Sequence, residues 1–190
     1  IEEDLAEAIW EDRPEFPAGK VMVLKEEITG KSFEKKREEV MEKVREEDAQ
    51  SLLLTKLDDI MWLLNIRGCD VECNPVAMSY LYLSGDSTVL FIQRKALDAT
   101  AEAYLLSQGI QIEEYASVTE YLKKLPAGGH VMLDKKQCSY YLYKILADRQ
   151  TLVEKQNPTE LLKAVKNPAE LANMEKIYLK DSVALTKFIY

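Results

Sequence analysis

Apolar residues along this chain fall into short runs and helical repeats that alternate. Val21-Met22-Val23-Leu24, Ser51-Leu52-Leu53-Leu54, Tyr80-Leu81-Tyr82-Leu83, Thr88 to Ile92, Ile110-Gln111-Ile112, His130 to Leu133 and Thr151-Leu152-Val153 each read as a strand. Ser84-Gly85-Asp86-Ser87 is a tight turn, so the strands on either side of it form a hairpin. Between the strands lie helical stretches: Ser32 to Asp48, a helix starting near Leu57, Ala96 to Gln108, Ser117 to Leu125 and Ser139 to Ala147. Gly109 is placed to end the third of these in a left-handed conformation. Strands alternating with helices, plus one hairpin, predict an α/β domain with a mixed sheet flanked by helices.

Two helices carry more specific expectations. From Ser32 to Asp48, Phe33, Val40, Met41 and Val44 share one side. Lys35, Glu39 and Lys43 are spaced to stack as opposite charges on a solvated face. In the second helix Leu57, Ile60, Met61 and Leu64 form the apolar face. Thr55 is expected to cap it, with Asp58 completing a capping box, and Gly68 to stop it. A polar string follows, Asn65, Arg67, Asp70 and Asn74, held between two apolar elements, and Asn74-Pro75 forces an extended turn.

At the start, Glu2 to Trp10 is expected to form a short acidic helix, ended by Pro14 and Pro17. Residues 1–19 therefore read as a linker from an upstream domain, ahead of a domain spanning 20–167. Near the end, Thr159 to Val165 is a short helix. Pro168 opens a final helix, capped by Asn167, that carries Leu171, Met174, Tyr178, Leu185 and Phe188 near one face.

Composition narrows the function classes. With 47% hydrophobic and 31% charged residues, the chain has an ordinary globular composition. A net charge of −8, from 33 acids and 25 bases, argues against nucleic acid held by phosphate neutralisation. No apolar run approaches a membrane span. Three cysteines, Cys69, Cys73 and Cys138, lack CxxC spacing and read as reduced thiols of a cytoplasmic protein.

Little in the chain suggests catalysis. Phosphate-binding glycine motifs are missing. His130, the single histidine, has no nucleophile or metal motif around it. Asp58 and Asp59 are neighbours about 100° apart on a helix, and suit its N-terminus. Asp134 closes a strand and is placed to cap the next helix. No residue is therefore assigned a catalytic or metal-binding role. Trp62, Asn65, Arg67 and Asn74 remain as a candidate interdomain or substrate-channel surface. The plainer alternative is that Arg67 and Asn74 tie the backbone of their own loop.

The run from Leu57 to Ser84, LDDIMWLLNIRGCDVECNPVAMSYLYLS, resembles the middle domain of three-domain Xaa-Pro aminopeptidases of the creatinase/prolidase superfamily. Lys163 to Glu170 and Lys180 to Leu185 resemble that family's entry into its catalytic domain. The likeness covers roughly Lys20 to Tyr190, and departs where Met61 and Cys69 replace the more usual Ala and Ser. It implies a creatinase N-terminal-type fold, with residues 168–190 forming the first helix of a catalytic domain. The family removes an N-terminal residue that precedes proline. It uses two divalent metal ions, usually manganese, held by carboxylates and a histidine of a C-terminal domain beyond Tyr190. The resemblance thus implies a non-catalytic, cofactor-free domain that shapes or covers the active-site cleft. Its partners would be the catalytic domain, an upstream domain and peptide substrate, and such enzymes can also form homodimers. Two alternatives stay open. One is a protein-binding module of the same fold, as in a histone-chaperone family, and the other is the N-terminal domain of another creatinase- or prolidase-type hydrolase.

Overall fold

The computed structural model describes Ala6, residues 9–85 and residues 87–190. The acidic helix expected over Glu2 to Trp10 lies largely outside the described residues, as does the tip of the hairpin turn at Asp86.

Six strands form the main sheet: β2 (Ser51–Leu54), β4 (Ser79–Ser84), β5 (Thr88–Ile92), β6 (Ile110–Glu114), β7 (His130–Leu133) and β8 (Thr151–Glu154). Their order across the sheet is β6-β5-β4-β2-β7-β8. Strand β4 runs antiparallel to both its neighbours, and every other adjacent pair is parallel. The mixed α/β architecture is the one the strand and helix pattern predicts.

The central strands are apolar throughout because helices cover both faces. On one face Leu52, Leu54, Leu81, Leu83, Leu90 and Ile92 pack with α2 (Phe33–Glu46), α3 (Leu57–Leu63) and α4 (Ala99–Ser107). On the other, Leu53, Tyr82, Val89, Phe91, Val131 and Leu133 meet α5 (Val118–Lys124) and α6 (Tyr140–Ala147). Successive residues of one strand thus serve opposite cores.

A second, two-stranded sheet pairs β1 (Met22–Val23) with β3 (Ile66–Arg67). The first expected strand therefore exists but lies outside the main sheet, and β3 and the short helix α1 (Glu26–Thr29) were not anticipated. The fold closes with α7 (Pro158–Ala164) and α8 (Pro168–Ile189). Among the described residues no helix is long and apolar enough to cross a membrane.

Local details correct several expectations. Thr55 does not cap α3, because its hydroxyl donates to the Gln137 carbonyl at 2.7 Å and no side chain caps that helix. Nor does Gly68 end α3. Asn65 turns the chain into a left-handed conformation (φ 55°) three residues earlier. Gly68 has a different duty, since a Cβ there would sit 2.5 Å from the Ala77 nitrogen. The third helical stretch breaks at Asp98, whose carboxylate accepts the Ala101 N–H at 2.9 Å, and Gly109 ends it at φ 72° as expected. On α2, Glu39 pairs with Lys31 and Lys43 with Glu46, rather than within the expected ladder. Asp134 shapes its own turn by accepting the Lys136 N–H, and Ser139 caps α6.

The segment before β1 lies along the domain. Phe16 stacks near Tyr115 (4.7 Å between ring centroids), which in turn stacks on Tyr80. Glu15 pairs with Lys95, and Lys20 with Asp98.

Candidate functional site

The residues from Leu57 to Val76 wall a cleft of about 370 Å³, closed on its other side by α7, α8 and Ile28 of α1. Its construction begins with the ends of α3. Asp58 and Asp59 occupy the first turn, where negative charge complements the helix dipole. Both also accept hydrogen bonds from Lys163 of α7. Asp59 is fully buried and accepts the Thr159 hydroxyl at 2.8 Å as well. Burial acts to lower the Lys163 pKa, but hydrogen bonds and charge from the two aspartates outweigh it and hold the pKa above its usual value.

Two cations meet the opposite end of α3. The Lys36 ammonium, 1% exposed, donates to the Trp62 carbonyl (2.9 Å) and to Asn65 Oδ1 (2.7 Å). It also sits 4.4 Å from the centre of the Trp62 ring. Burial lowers its pKa to about 8, with Arg67 and Lys31 adding to the shift and Glu170 and Glu39 opposing it. Arg67 Nη1 donates to the carbonyls of Met61 (3.2 Å) and Ile66 (2.7 Å), and burial holds its pKa below the ordinary value despite nearby Glu170. Carbonyls left without helical partners at a C-terminus are thus taken by buried positive charge.

The four sequence-derived candidates divide. Trp62, Arg67 and Asn74 share the cleft wall. Asn65 does not line it, because its side chain is buried between Lys36 and the Lys31 carbonyl (2.9 Å). The expectation that Arg67 and Asn74 tie their own loop is corrected. Arg67 serves the end of α3 and β3, and no side-chain hydrogen bond of Asn74 is seen among the described residues. Asp70 fastens the loop, with Oδ1 accepting the Gly19 N–H (2.5 Å) and Oδ2 the Met78 N–H (2.7 Å). Replacing Asp70 with Ala is expected to cost about 2 kcal/mol by stranding two backbone donors. A melting temperature unchanged in Asp70→Ala would show the staple to be idle.

Sequence reasoning missed Lys36, Lys163 and Glu170. Lys36 carried a usable signal, since it lies three residues after Phe33 and four before Val40, on the apolar side of α2. The corner between α7 and α8 completes the cleft. Asn167 and Glu170 form a capping box, and Asn167 Nδ2 donates to the Thr29 carbonyl at 2.8 Å. Gly30, at φ 69°, makes room for it, because a Cβ there would collide with Asn167 Oδ1. Beyond this corner α8 has no buried residue, and Leu171, Tyr178, Leu185 and Phe188 of its expected apolar face are exposed.

Other candidates offer no site. His130 Nδ1 lies 3.0 Å from the Asp48 carbonyl, and the three cysteines are free. Burial pushes the Cys138 thiol up to about 11, away from reactivity. Among the described residues no three His, Cys, Asp or Glu side chains are grouped to hold a metal ion.

Comparisons with known proteins agree on one relationship. Residues 12–170 match the Creatinase/Prolidase N-terminal domain. The chain is 35% identical to Xaa-Pro aminopeptidase 1 of Dictyostelium discoideum over 94% of its own length and 28% of that protein's. It is 31% identical to Xaa-Pro aminopeptidase app-1 of Caenorhabditis elegans, covering 98% of this chain and 31% of the relative. The crystal structure of the Caenorhabditis elegans X-prolyl aminopeptidase, described as a cytosolic enzyme with a di-nuclear active site, superposes with a TM-score of 0.89 at 31% identity. It covers all of this chain and 32% of the enzyme. A Xaa-Pro dipeptidase from Bacillus anthracis shares the fold at a TM-score of 0.56 and 15% identity, over 74% of this chain and 38% of its own. The chain spans about a third of the length of the curated relatives it matches. It belongs to the Creatinase/Prolidase N-terminal domain family.

Proposed function

We propose that this chain is the non-catalytic domain of a metal-dependent, cytoplasmic Xaa-Pro aminopeptidase, an enzyme that removes an N-terminal residue preceding proline. Residues 20–167 are its creatinase N-terminal-like domain, residues 1–19 lead in from an upstream domain, and residues 168–190 begin the catalytic domain. The observation that carries this is the end-to-end superposition on one third of the Caenorhabditis elegans enzyme. Among the described residues no donors are grouped to fit a di-nuclear centre, and the family resemblance assigns the two ions, manganese in this reading, to the catalytic domain.

In that enzyme the exposed apolar surface of α8 packs into the catalytic domain, because large exposed apolar patches mark interfaces. The cleft beside the root of α8 then faces the same neighbour and forms part of the wall that confines peptide substrate. The test compares the 190-residue chain with a longer protein translated through the sequence that follows it in the gene. A tripeptide with proline in second place should be cleaved by the longer protein and not by the shorter. Calorimetric titration of the shorter chain with manganese should show no stoichiometric site. Turnover by the 190-residue chain, or tight manganese binding to it, would overturn the proposal.

A further inference from the structure

Arg67 is a fixed cation with part of its hydrogen-bonding capacity unused. We propose that the cleft it lines is a subsite for the C-terminal carboxylate of a short peptide, received by the Arg67 guanidinium. The inference rests on the aminopeptidase function proposed above. Nη1 is anchored on two carbonyls, at 3.2 and 2.7 Å, which fixes the plane of the group at the wall of the cleft. Among the described residues, Nε and Nη2 make no hydrogen bond and no carboxylate lies within ion-pairing distance. Neither nitrogen is both fully buried and unpartnered. An arginine in this state presents a planar pair of donors, which matches the two oxygens of a carboxylate.

Of the two carboxylates on the cleft wall, Asp58 is occupied by Lys163. Glu170 accepts the Asn167 N–H at 3.0 Å in its capping box, and its charge acts on Arg67 without coming within ion-pairing distance, so the guanidinium has no direct carboxylate partner among the described residues. Lys166 adds a further positive charge on the wall. Ile28 and Ile177, both exposed, supply apolar surface for the side chain that accompanies the terminal carboxylate. At about 370 Å³ the cleft lies at the lower end of small-ligand sites and suits the last one or two residues of a peptide. A lone acidic side chain from elsewhere in the enzyme would satisfy Arg67 but leave most of that volume unfilled.

The probe is alanyl-prolyl-alanine, as the free acid and as the C-terminal amide. Titrated into the 190-residue chain, the acid should move the nuclear magnetic resonance signals of Trp62 and Ile177. The amide should bind at least tenfold more weakly, and Arg67→Gln should erase the difference. Arg67→Lys, which keeps a charge and a donor for the carbonyls but loses the fork, should also lose most of it. This second variant guards against an Arg67→Gln protein that does not fold. Equal binding of acid and amide, no binding of the acid, or signal changes confined to other surfaces would overturn the subsite. In the longer protein, Arg67→Gln should reduce the acid-over-amide preference in kcat/KM about tenfold. If that variant melts earlier but keeps the preference, Arg67 serves an internal carboxylate and the subsite is refuted. A longer protein that cleaves both peptides equally refutes the subsite alone, whereas one with no peptidase activity refutes the proposed function.

Discussion

Asp59→Ala is expected to lower the unfolding free energy by about 3 kcal/mol, within the range for breaking a buried charged pair. Asp59 has no exposed surface, and its two oxygens are divided between the Lys163 ammonium (2.5 Å) and the Thr159 hydroxyl (2.8 Å). Thr159 is itself fully buried, so the substitution strands a hydroxyl as well as removing one of two charge partners. The loss should not reach the extreme of that range, because the Lys163 side chain is 23% exposed and retains Asp58. Asp58 is the internal control. Its side chain is 46% exposed, so Asp58→Ala should cost less than about 1 kcal/mol. Urea unfolding would compare the two, with the midpoint falling in Asp59→Ala at an unchanged slope. Equal losses in both variants would contradict the assignment of Asp59 as the buried joint between α3 and α7.

The second large effect is a dependence on pH carried by Lys36. Its folded pKa, about 8, lies below the ordinary 10.5, so between those values the unfolded chain binds more protons than the folded one. Unfolding free energy must then rise with pH across that window. Below pH 8 both states are charged, and the full cost of burying the ammonium is present. By pH 10.5 the gain from Lys36 totals about 3 kcal/mol, since each pH unit between the folded and unfolded values contributes about 1.4 kcal/mol. Arg67 and Lys31 face the ammonium and depress its pKa, while Glu170 and Glu39 act against them. Lysines with raised pKa values, such as Lys163, lose their contribution only above this range, as the pH passes 10.5. The useful quantity is therefore the difference between the wild-type curve and that of Lys36→Met. This difference should shift in favour of the wild type as pH rises from about 8 to about 10. A difference that stays flat would mean that Lys36 is not buried as an ammonium.

Much of the fold was legible because its signals are local. The hairpin of β4 and β5 needs only two apolar runs and a glycine-containing turn, and the three consecutive leucines of β2 announce a strand covered on both sides. Less legible were features settled by distant partners. Thr55 looks like a cap until Gln137, far along the chain, takes its hydroxyl. Gly68 looks like a helix stop, but the close approach of Ala77 is what demands a glycine there. Of the candidate site, Trp62, Arg67 and Asn74 were found together, whereas Asn65 proved to be an internal support. Lys163 of α7 and Glu170 of α8 were missed, since roughly a hundred residues separate them from α3 and nothing in either segment points to the other. Lys36 is the instructive case. A lysine on the apolar side of a helix suggests no role because charge is ordinarily solvated, and its burial is explained by the partners that meet it at the end of α3, the Trp62 carbonyl and ring and the Asn65 side chain.

The joint at Asn167 has a consequence for how order spreads along α8. A 22-residue helix is about 33 Å long at 1.5 Å per residue, and among the described residues this one has no buried residue along its length. Helix formation is limited by its first turn, and here that turn is prepaid by the capping box and by the bonds of Asn167 to Thr29 and Asn173 to Ile28. Growth of the helix is therefore directional, nucleated at the domain. Its axis is aimed by the few bonds at that corner. The helix inherits its bearing from them, so a substitution at Gly30, remote in sequence, would redirect α8.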